Sequence, residues 1–156
     1  MAESEIYDRI ALQEMKARYF RFMDTKQWGS WRALFTDSAE FYFDDMTEPA
    51  VIGADQFVEM VSQQLNDSVT VHQGHMPELT FVDDRHATGI WAMFDWVDGS
   101  ARGAMQLVGY GHYHESYVKG DDGTWRIEKL RLTRLRTDTT VHVGKVADDQ
   151  APWKAS

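Results

Sequence analysis

The chain has 156 residues, a length that fits one domain, and 43% of them are hydrophobic, which is enough for a folded core. The formal net charge of −9 argues against binding to nucleic-acid backbones or anionic membranes, which need basic patches. There is no cysteine, so disulfides, thiol nucleophiles and cysteine-ligated zinc are excluded. An acidic start and a longest apolar run of only 90–94 predict no signal peptide and no membrane span, and hence a cytoplasmic protein.

The first half of the sequence is predicted to be mainly helical. Apolar residues recur with helical spacing over 5–24 on two sides of the helix, which predicts burial on both sides. The elements predicted after it are a short helix over 28–35, a break at 36–38, brief strands over 40–43 and 50–52, and a third helix opened by 53–55. Asp55 is the expected N-cap of that third helix.

Asp24 stands out at the end of the first predicted helix. It continues the arc formed by Ile6, Ile10, Ala17 and Phe20, so its carboxylate is predicted to point into the fold. The alternative is that Asp24 caps the short helix that follows it.

The second half of the sequence changes to β-type patterns. Strands are predicted over 69–82, 87–97, 104–118 and 125–136, with turns at 83–86 and 120–123. Pro77 must lie at a bulge or a sheet edge because it has no N–H to donate. Helices followed by a meander of strands predict an α+β domain in which N-terminal helices pack on a curved, mainly antiparallel sheet. Apolar residues on both strand faces predict a homo-oligomer.

Histidines in the β region are the first candidates for chemistry. His72 lies in an apolar strand and is predicted to point inward, either as a hydrogen-bonded core residue or as a general base. His112 and His114 share one strand face, but a cupin-type site would need a Glu where Val118 stands, so no metal is expected. Neither a glycine-rich phosphate loop nor a serine nucleophile elbow is present.

A set of residues spread along the chain forms a recognisable combination: Leu12, Tyr19-Phe20, Asp24, Trp28, Trp31, Leu34-Phe35-Thr36-Asp37, His72, and the runs 111–117 and 122–127. Together they resemble the SnoaL-like proteins of the nuclear-transport-factor-2-like superfamily. It covers about residues 6–137. The Tyr–Asp–His combination is similar to the branch that holds scytalone dehydratase, bile-acid 7α-dehydratase and lindane dehydrochlorinase.

The resemblance implies a cystatin-like, cone-shaped barrel over 1–138 and a C-terminal tail over 139–156. It implies a pocket between helices and sheet that works without a cofactor or metal. Asp24 and His72 take the places of the family's acid–base dyad, with Tyr19 beside them, while His75 falls too late in the strand. A trimer is favoured, with a dimer as the alternative.

The same resemblance places an arginine of the last strand in the pocket. Arg131, Arg134 and Arg136 compete for this role, and Arg134 is favoured. Tyr110 matches the position of a second catalytic histidine in scytalone dehydratase. The pocket wall is expected to include some of these aromatic residues: Phe20, Trp28, Trp31, Phe35, Trp91 and Tyr110.

Two hypotheses for function follow. The first is a cofactor-free lyase or isomerase, dehydratase- or cyclase-like, which abstracts a proton from a hydrophobic cyclic small molecule. The second is a non-catalytic small-molecule-binding or assembly module of the same fold.

Overall fold

The computed structural model describes residues 3–99 and 105–140, which form helices packed on a six-stranded sheet. In chain order the elements are α1 Glu3–Asp24, α2 Trp28–Arg32, β1 Phe35–Phe43, β2 Val51–Ile52, α3 Ala54–Leu65, β3 Val69–Phe81, β4 His86–Asp98, β5 Gln106–Lys119 and β6 Trp125–Thr140. The strand order is β2-β1-β6-β5-β4-β3, and every neighbouring pair is antiparallel except β1 with β6. The predicted α+β class is confirmed, with a curved sheet that does not close.

Helix α1 buries one stripe rather than two. The buried residues follow the i, i+3, i+4 spacing of a single helix face: Leu12, Met15, Lys16, Tyr19, Phe20 and Met23. The prediction of a second buried arc is wrong over most of its length, because Ile6 and Ile10 are 47% and 48% exposed and Ala17 is exposed as well. Only the C-terminal end of that arc, at Phe20 and Asp24, turns toward β3, against which α1 mainly packs.

The segment after α1 differs from the predicted boundaries. Helix α2 ends at Arg32, and the predicted break at 36–38 is part of β1. The strand begins early because the Ile127 N–H donates to the Leu34 carbonyl at 2.8 Å and Phe35 pairs with Ile127, while residues 36–38 lie at an irregularity of the pairing with β6. At α3 the N-cap is Gly53, with φ of 100°, so the prediction of Asp55 as the cap is wrong.

Strand β3 confirms the expectation for Pro77. Its pairing with β4 shifts register between His75 and Glu78, and β3 is an edge strand of the sheet. Before this bulge Thr70 and His72 are buried, and after it Leu79 is the buried residue. The part of β3 that precedes the bulge, which includes His72, therefore faces α1.

A cluster of aromatic rings fills the space between α2, α3 and β1. Trp31 meets Phe35 edge-on, with ring centroids 5.3 Å apart, and Phe41 stacks on Phe57 at 3.6 Å. These rings form one end of the core beneath the sheet.

No helix among the described residues is long and apolar enough to cross a membrane.

The C-terminal strand runs further than predicted. β6 continues to Thr140 rather than ending at Arg136. The predicted tail over 139–156 thus begins inside β6, and 141–156 lie outside the described residues.

Candidate functional site

Asp24, the last residue of α1, is bound to β3 by three hydrogen bonds. The Thr70 hydroxyl donates to Oδ1 at 2.9 Å, and the His72 backbone N–H donates to Oδ2 at 2.9 Å. The Nδ1 atom of His72 lies 2.6 Å from Oδ1. The alternative role as a helix cap does not apply, because Gln27 stands at the N-cap of α2 without a side-chain cap bond.

The close approach of α1 to β3 depends on Gly74. A Cβ atom at this position would lie 2.6 Å from Cε2 of Phe20, so any larger residue would displace that ring. Phe20 is one helical turn before Asp24, and Gly74 follows His72 by two residues on the same strand face. The glycine thus lets the helix end lie close enough for Asp24 to reach His72.

His72 faces the interior and His75 does not. The His72 side chain is 6% exposed, whereas His75 is an exposed residue of the same strand. Its Nδ1 is occupied by Asp24, and within the described residues Nε2 has no hydrogen-bond partner. A carboxylate on Nδ1 fixes the tautomer in which Nε2 carries the free lone pair.

A cavity of about 250 Å³ lies beside His72, between the helices and the inner face of the sheet. Its wall is mainly apolar and aromatic, with a small number of polar side chains. The lining residues are Tyr19, Met23, Trp31, Phe43, Phe57, Met60, Val61, Gln64, Leu65, His72, Asp95, Val97, Leu107, Tyr113, Leu130, Leu132 and Arg134. Tyr19, His72, Arg134 and Trp31, all singled out from the sequence, thus meet at one cavity, while Asp24 reaches it through His72.

Five of the aromatic residues expected in the pocket wall lie elsewhere. Tyr110 is 41% exposed on the outer face of the sheet, beside Phe94. Trp28 donates from its indole to Asn66 near the surface, and the Trp91 indole donates to the Tyr117 hydroxyl. The Phe20 ring covers Gly74, and the Phe35 ring packs against Trp31 without reaching the cavity wall. The outward position of the Tyr110 side chain follows from the alternation of residues along a strand. Its neighbours Gly109 and Gly111 face inward, so Tyr110 lies on the opposite face.

Of the three candidate arginines, only Arg134 lines the cavity. Its two terminal nitrogens each lie 2.7 Å from an oxygen of Asp95, which is a bidentate pair. A Cβ at position 109 would lie 1.7 Å from Nη1 of Arg134, so Gly109 makes room for the pair. Arg131 donates to backbone carbonyls, and Arg136 pairs with Asp138 at the surface.

Two tyrosine hydroxyl groups belong to the cavity, although the sequence pointed only to Tyr19. Burial raises the pKa of Tyr19 well above its ordinary value, and the nearby Tyr113 and Glu115 add to this. Burial, together with the charges of Asp95 and Glu115, also raises the pKa of Tyr113. Both phenols therefore stay protonated near neutral pH and act as hydrogen-bond donors rather than as bases.

A buried ion pair below these rings was missed in the sequence. Lys16 and Glu115 are 0% and 3% exposed, and Nζ lies 2.5 Å from Oε1. The second oxygen of Glu115 accepts from the Tyr117 hydroxyl at 2.5 Å, and that hydroxyl accepts from Trp91. Burial lowers the pKa of Lys16, against the opposing effect of Glu115. The available signal was the position of Lys16 inside the apolar stripe of α1.

The histidine pair on β5 does not reach this cavity. His112 and His114 lie on the outer face, with ring centroids 6.2 Å apart, and the partner of His114 is the Thr133 hydroxyl. Across the part of the chain that the structure describes, no three His, Asp or Glu side chains are grouped as a metal ion requires.

Comparisons with known proteins show the family to which the chain belongs. The family described as SnoaL-like domain matches residues 4–131. Probable cyclase FGR4 of Gibberella zeae is 28% identical over 135 residues, which cover 80% of this chain and 89% of the relative.

Solved structures share the fold at lower sequence identity. A candidate scytalone dehydratase from Novosphingobium aromaticivorans superposes with a TM-score of 0.78 at 19% identity, covering 97% of this chain and 99% of that one. The hexachlorocyclohexane dehydrochlorinase LinA-type3 from Novosphingobium barchaimii gives 0.70 at 21% identity, covering 92% and 97%. Since the family match spans most of the sequence, this chain belongs to the SnoaL-like domain family.

Proposed function

We propose that this protein is a cofactor-free lyase or isomerase, of dehydratase or cyclase type, acting on a hydrophobic cyclic small molecule. His72 is the general base and Asp24 is its orienting carboxylate. The observation that carries the proposal is the 2.6 Å contact between His72 Nδ1 and Asp24 at the wall of the cavity.

The geometry supports a specific sequence of events. Asp24 holds the imidazole so that Nε2 presents its lone pair to a C–H group next to a carbonyl or a leaving group. When Nε2 takes this proton, the imidazolium is stabilised by the carboxylate, as in other histidine–carboxylate bases. Tyr19 is a protonated donor in the same cavity and stabilises the oxygen on which negative charge collects, or the departing hydroxyl.

Arg134 is not assigned the role of binding an anionic group of the substrate. Both of its terminal nitrogens are engaged by Asp95, and the Asp95 side chain is 5% exposed. The positive charge is thus balanced before any ligand enters. We assign Arg134 a contact with an uncharged part of the substrate.

The related proteins support the same class of chemistry. Their descriptions name a cyclase, a scytalone dehydratase and a dehydrochlorinase. Elimination of water or of hydrogen chloride requires removal of a proton from carbon, which is the step that we assign to His72.

The experiment is turnover on a panel of hydroxylated cyclic ketones, in which loss of water creates a conjugated product that absorbs in the ultraviolet. His72→Ala should lower the rate by about 10²–10⁴-fold, the usual contribution of general-base catalysis. Asp24→Asn should cost nearly as much because it permits the wrong tautomer. The matched control is His75→Ala, a histidine of the same strand that faces solvent.

Equal rates for His72→Ala and the unchanged protein on a turned-over substrate would reject this proposal. The second hypothesis, a small-molecule-binding module without chemistry, would then be the one to pursue. Activity that disappears in a chelator would also contradict a mechanism without a metal.

We further propose that the protein is a homo-oligomer, with a trimer favoured over a dimer. The outer face of the sheet carries apolar residues that are partly exposed, among them Ile90 at 36% and Tyr110 at 41%. Light scattering at micromolar concentration should give a mass of more than one chain, and a clean monomer would contradict this.

A further inference from the structure

Four tyrosines are buried in the described part of the chain, and they fall into two classes. The hydroxyl of Tyr42 donates to Glu40, and that of Tyr117 donates to Glu115. The hydroxyls of Tyr19 and Tyr113 interact with each other and with no carboxylate or backbone group among the described residues, and both residues line the cavity. Two hydroxyls that bond to each other use only one of their two protons, so the pair keeps a donor for an acceptor supplied by a ligand.

The ammonium group of Lys16 lies against the rings of this second class. Its Nζ is 3.8 Å from the ring centroid of Tyr113 and 4.0 Å from that of Tyr19. One of its three N–H groups is used by Glu115, which leaves the others for the ring faces. A cation on the face of a phenol favours negative charge on that ring and so strengthens its hydroxyl as a donor.

Stability alone does not account for this ion pair. Removing two charges from water is costly, and apolar replacements of a buried pair are often as stable or more stable. Each end is nevertheless fixed: Lys16 by two rings, and Glu115 by Tyr117, whose hydroxyl in turn is held by Trp91. The ion pair therefore holds the rings of Tyr19 and Tyr113 in a fixed orientation. It also places a positive charge against the faces of both rings.

We propose that Tyr113 and Tyr19 form a two-hydroxyl donor site for the oxygen of an uncharged cyclic ketone or phenol, and that the buried Lys16–Glu115 pair positions both rings. The inference rests on the proposed function for the reaction that follows binding. The binding itself needs only the cavity and the two hydroxyls.

The charges around the cavity favour an uncharged ligand. Asp95 is neutralised by Arg134 and Lys16 by Glu115, and the Asp24 carboxylate has His72 and the ammonium group of Lys26 near it. The charges around the cavity in the described part of the chain are therefore already balanced, so a carboxylate or phosphate would enter without an unpaired cation to meet it. A ketone or phenol oxygen accepts from the tyrosines without bringing a charge of its own.

The test compares two probes of the same ring size, 1-tetralone with its carbonyl and tetralin without one. The protein should bind tetralone about five- to tenfold more tightly, the range expected for a small number of net hydrogen bonds. Tyr113→Phe should reduce this preference at least twofold while tetralin binding stays unchanged. Tyr42→Phe is the matched control, since it removes a part-buried hydroxyl that is held by Glu40 away from the cavity.

The positioning role is tested with Lys16→Met/Glu115→Gln and, in case that variant does not fold, with Glu115→Gln alone. In Glu115→Gln the shape is kept but Lys16 loses its counter-charge. Each variant should lower the tetralone preference at least threefold with little change in tetralin affinity, which a purely structural role would not produce.

Equal or absent binding of the two probes to the unchanged protein would overturn the proposal. So would a preference that survives in both Tyr113→Phe and Tyr19→Phe. A preference that survives both ion-pair variants would overturn the positioning role. The preference is read from binding alone and the role of His72 from reaction rates, so a failure of the base mechanism is distinguishable from a failure of the donor site.

Discussion

Two acid–base pairs lie on either side of Tyr19, and both have one member on helix α1. Asp24–His72 lies at the end of the helix, where the Asp24 side chain is 22% exposed. Lys16–Glu115 lies in the middle, with side chains 1% and 0% exposed. The first pair leaves Nε2 of the histidine free toward the cavity, whereas the second has every polar atom directed at another group of the protein.

This difference between the two pairs matches two different tasks, the transfer of a proton and the positioning of neighbouring side chains. A group that transfers protons needs one unoccupied position and access to the substrate. A group that only orients its neighbours is more effective when it is fully bonded and dry. In the proposed mechanism the same helix thus presents a reactive pair at its end and a fixed pair about two turns earlier.

The largest expected effect on stability comes from breaking the fixed pair. Lys16→Ala should lower the free energy of unfolding by about 3–5 kcal/mol, because Glu115 is left as a buried, uncompensated charge. The measurement is urea denaturation. Lys129→Ala is the control, because its pair with Glu40 is half-exposed and should contribute at most about 1 kcal/mol. A similar loss in both variants would remove the contrast between the two kinds of pair.

Gly74→Ala should disturb the reactive pair through the backbone. The added methyl group must displace Phe20, which we expect to cost about 1–3 kcal/mol of stability, the usual range for overpacking. It should also separate Asp24 from His72 and lower turnover. Gly29→Ala is the matched control, since no atom lies within 4 Å of a Cβ at that position. Unchanged activity in Gly74→Ala would show that the helix end tolerates a shift.

Alkaline pH should weaken the fold through the cavity tyrosines. The unfolded chain releases a phenolic proton near pH 10, whereas Tyr19 and Tyr113 have raised pKa values and keep theirs. The unfolded state then binds fewer protons, so the free energy of unfolding falls above pH 10, by about 1.4 kcal/mol per tyrosine at pH 11. Denaturation at pH 9 and pH 11 should show a smaller fall for Tyr113→Phe. An identical fall in this variant would contradict the burial of that phenol.

Thr70→Val should give the smallest effect. It removes the hydroxyl that donates to Asp24 Oδ1 and accepts from Lys26 Nζ at 2.8 Å. We expect a loss of about 0.5–1.5 kcal/mol and a modest fall in turnover, since the two bonds from His72 remain. Melting temperature and rate are compared with Thr80→Val on the exposed face of β3. A rate as low as that of His72→Ala would mean that Thr70, not His72, dominates the orientation of Asp24.

Much of the fold could be predicted from local pattern. The long strands, the α1 helix and the bulge at Pro77 follow from side-chain periodicity and from the missing N–H of proline. The start of β1 did not, because Phe35 belongs to the strand only through its pairing with the distant Ile127, and the polar residues 36–38 lie at an irregularity of that pairing. The exposure of Ile6 and Ile10 could not be predicted either. The periodicity of the sequence shows two apolar arcs on the helix but does not show which of them packs on the sheet.

The site was predictable where a resemblance or a helix arc pointed to it. Asp24, His72 and Tyr19 were singled out, and the structure places Tyr19 and His72 in the wall of one cavity with Asp24 bonded to His72. Asp95 was missed because it lies in a strand of alternating apolar residues and its partner Arg134 is 39 residues away. Lys16 was missed because a charge on a helix usually faces water, and its burial depends on Glu115, which is 99 residues distant.

The most direct test of the Asp24–His72 base is proton exchange at carbon, which needs no knowledge of the natural substrate. A panel of enolisable cyclic ketones is incubated in D₂O, and loss of the proton next to the carbonyl is followed by NMR. The protein should accelerate exchange for at least one ketone, and His72→Ala should remove that acceleration by about 10²–10⁴-fold while His75→Ala keeps it. Exchange at the same rate in His72→Ala and in the unchanged protein, or no acceleration across the panel, would contradict the assignment of His72 as the base.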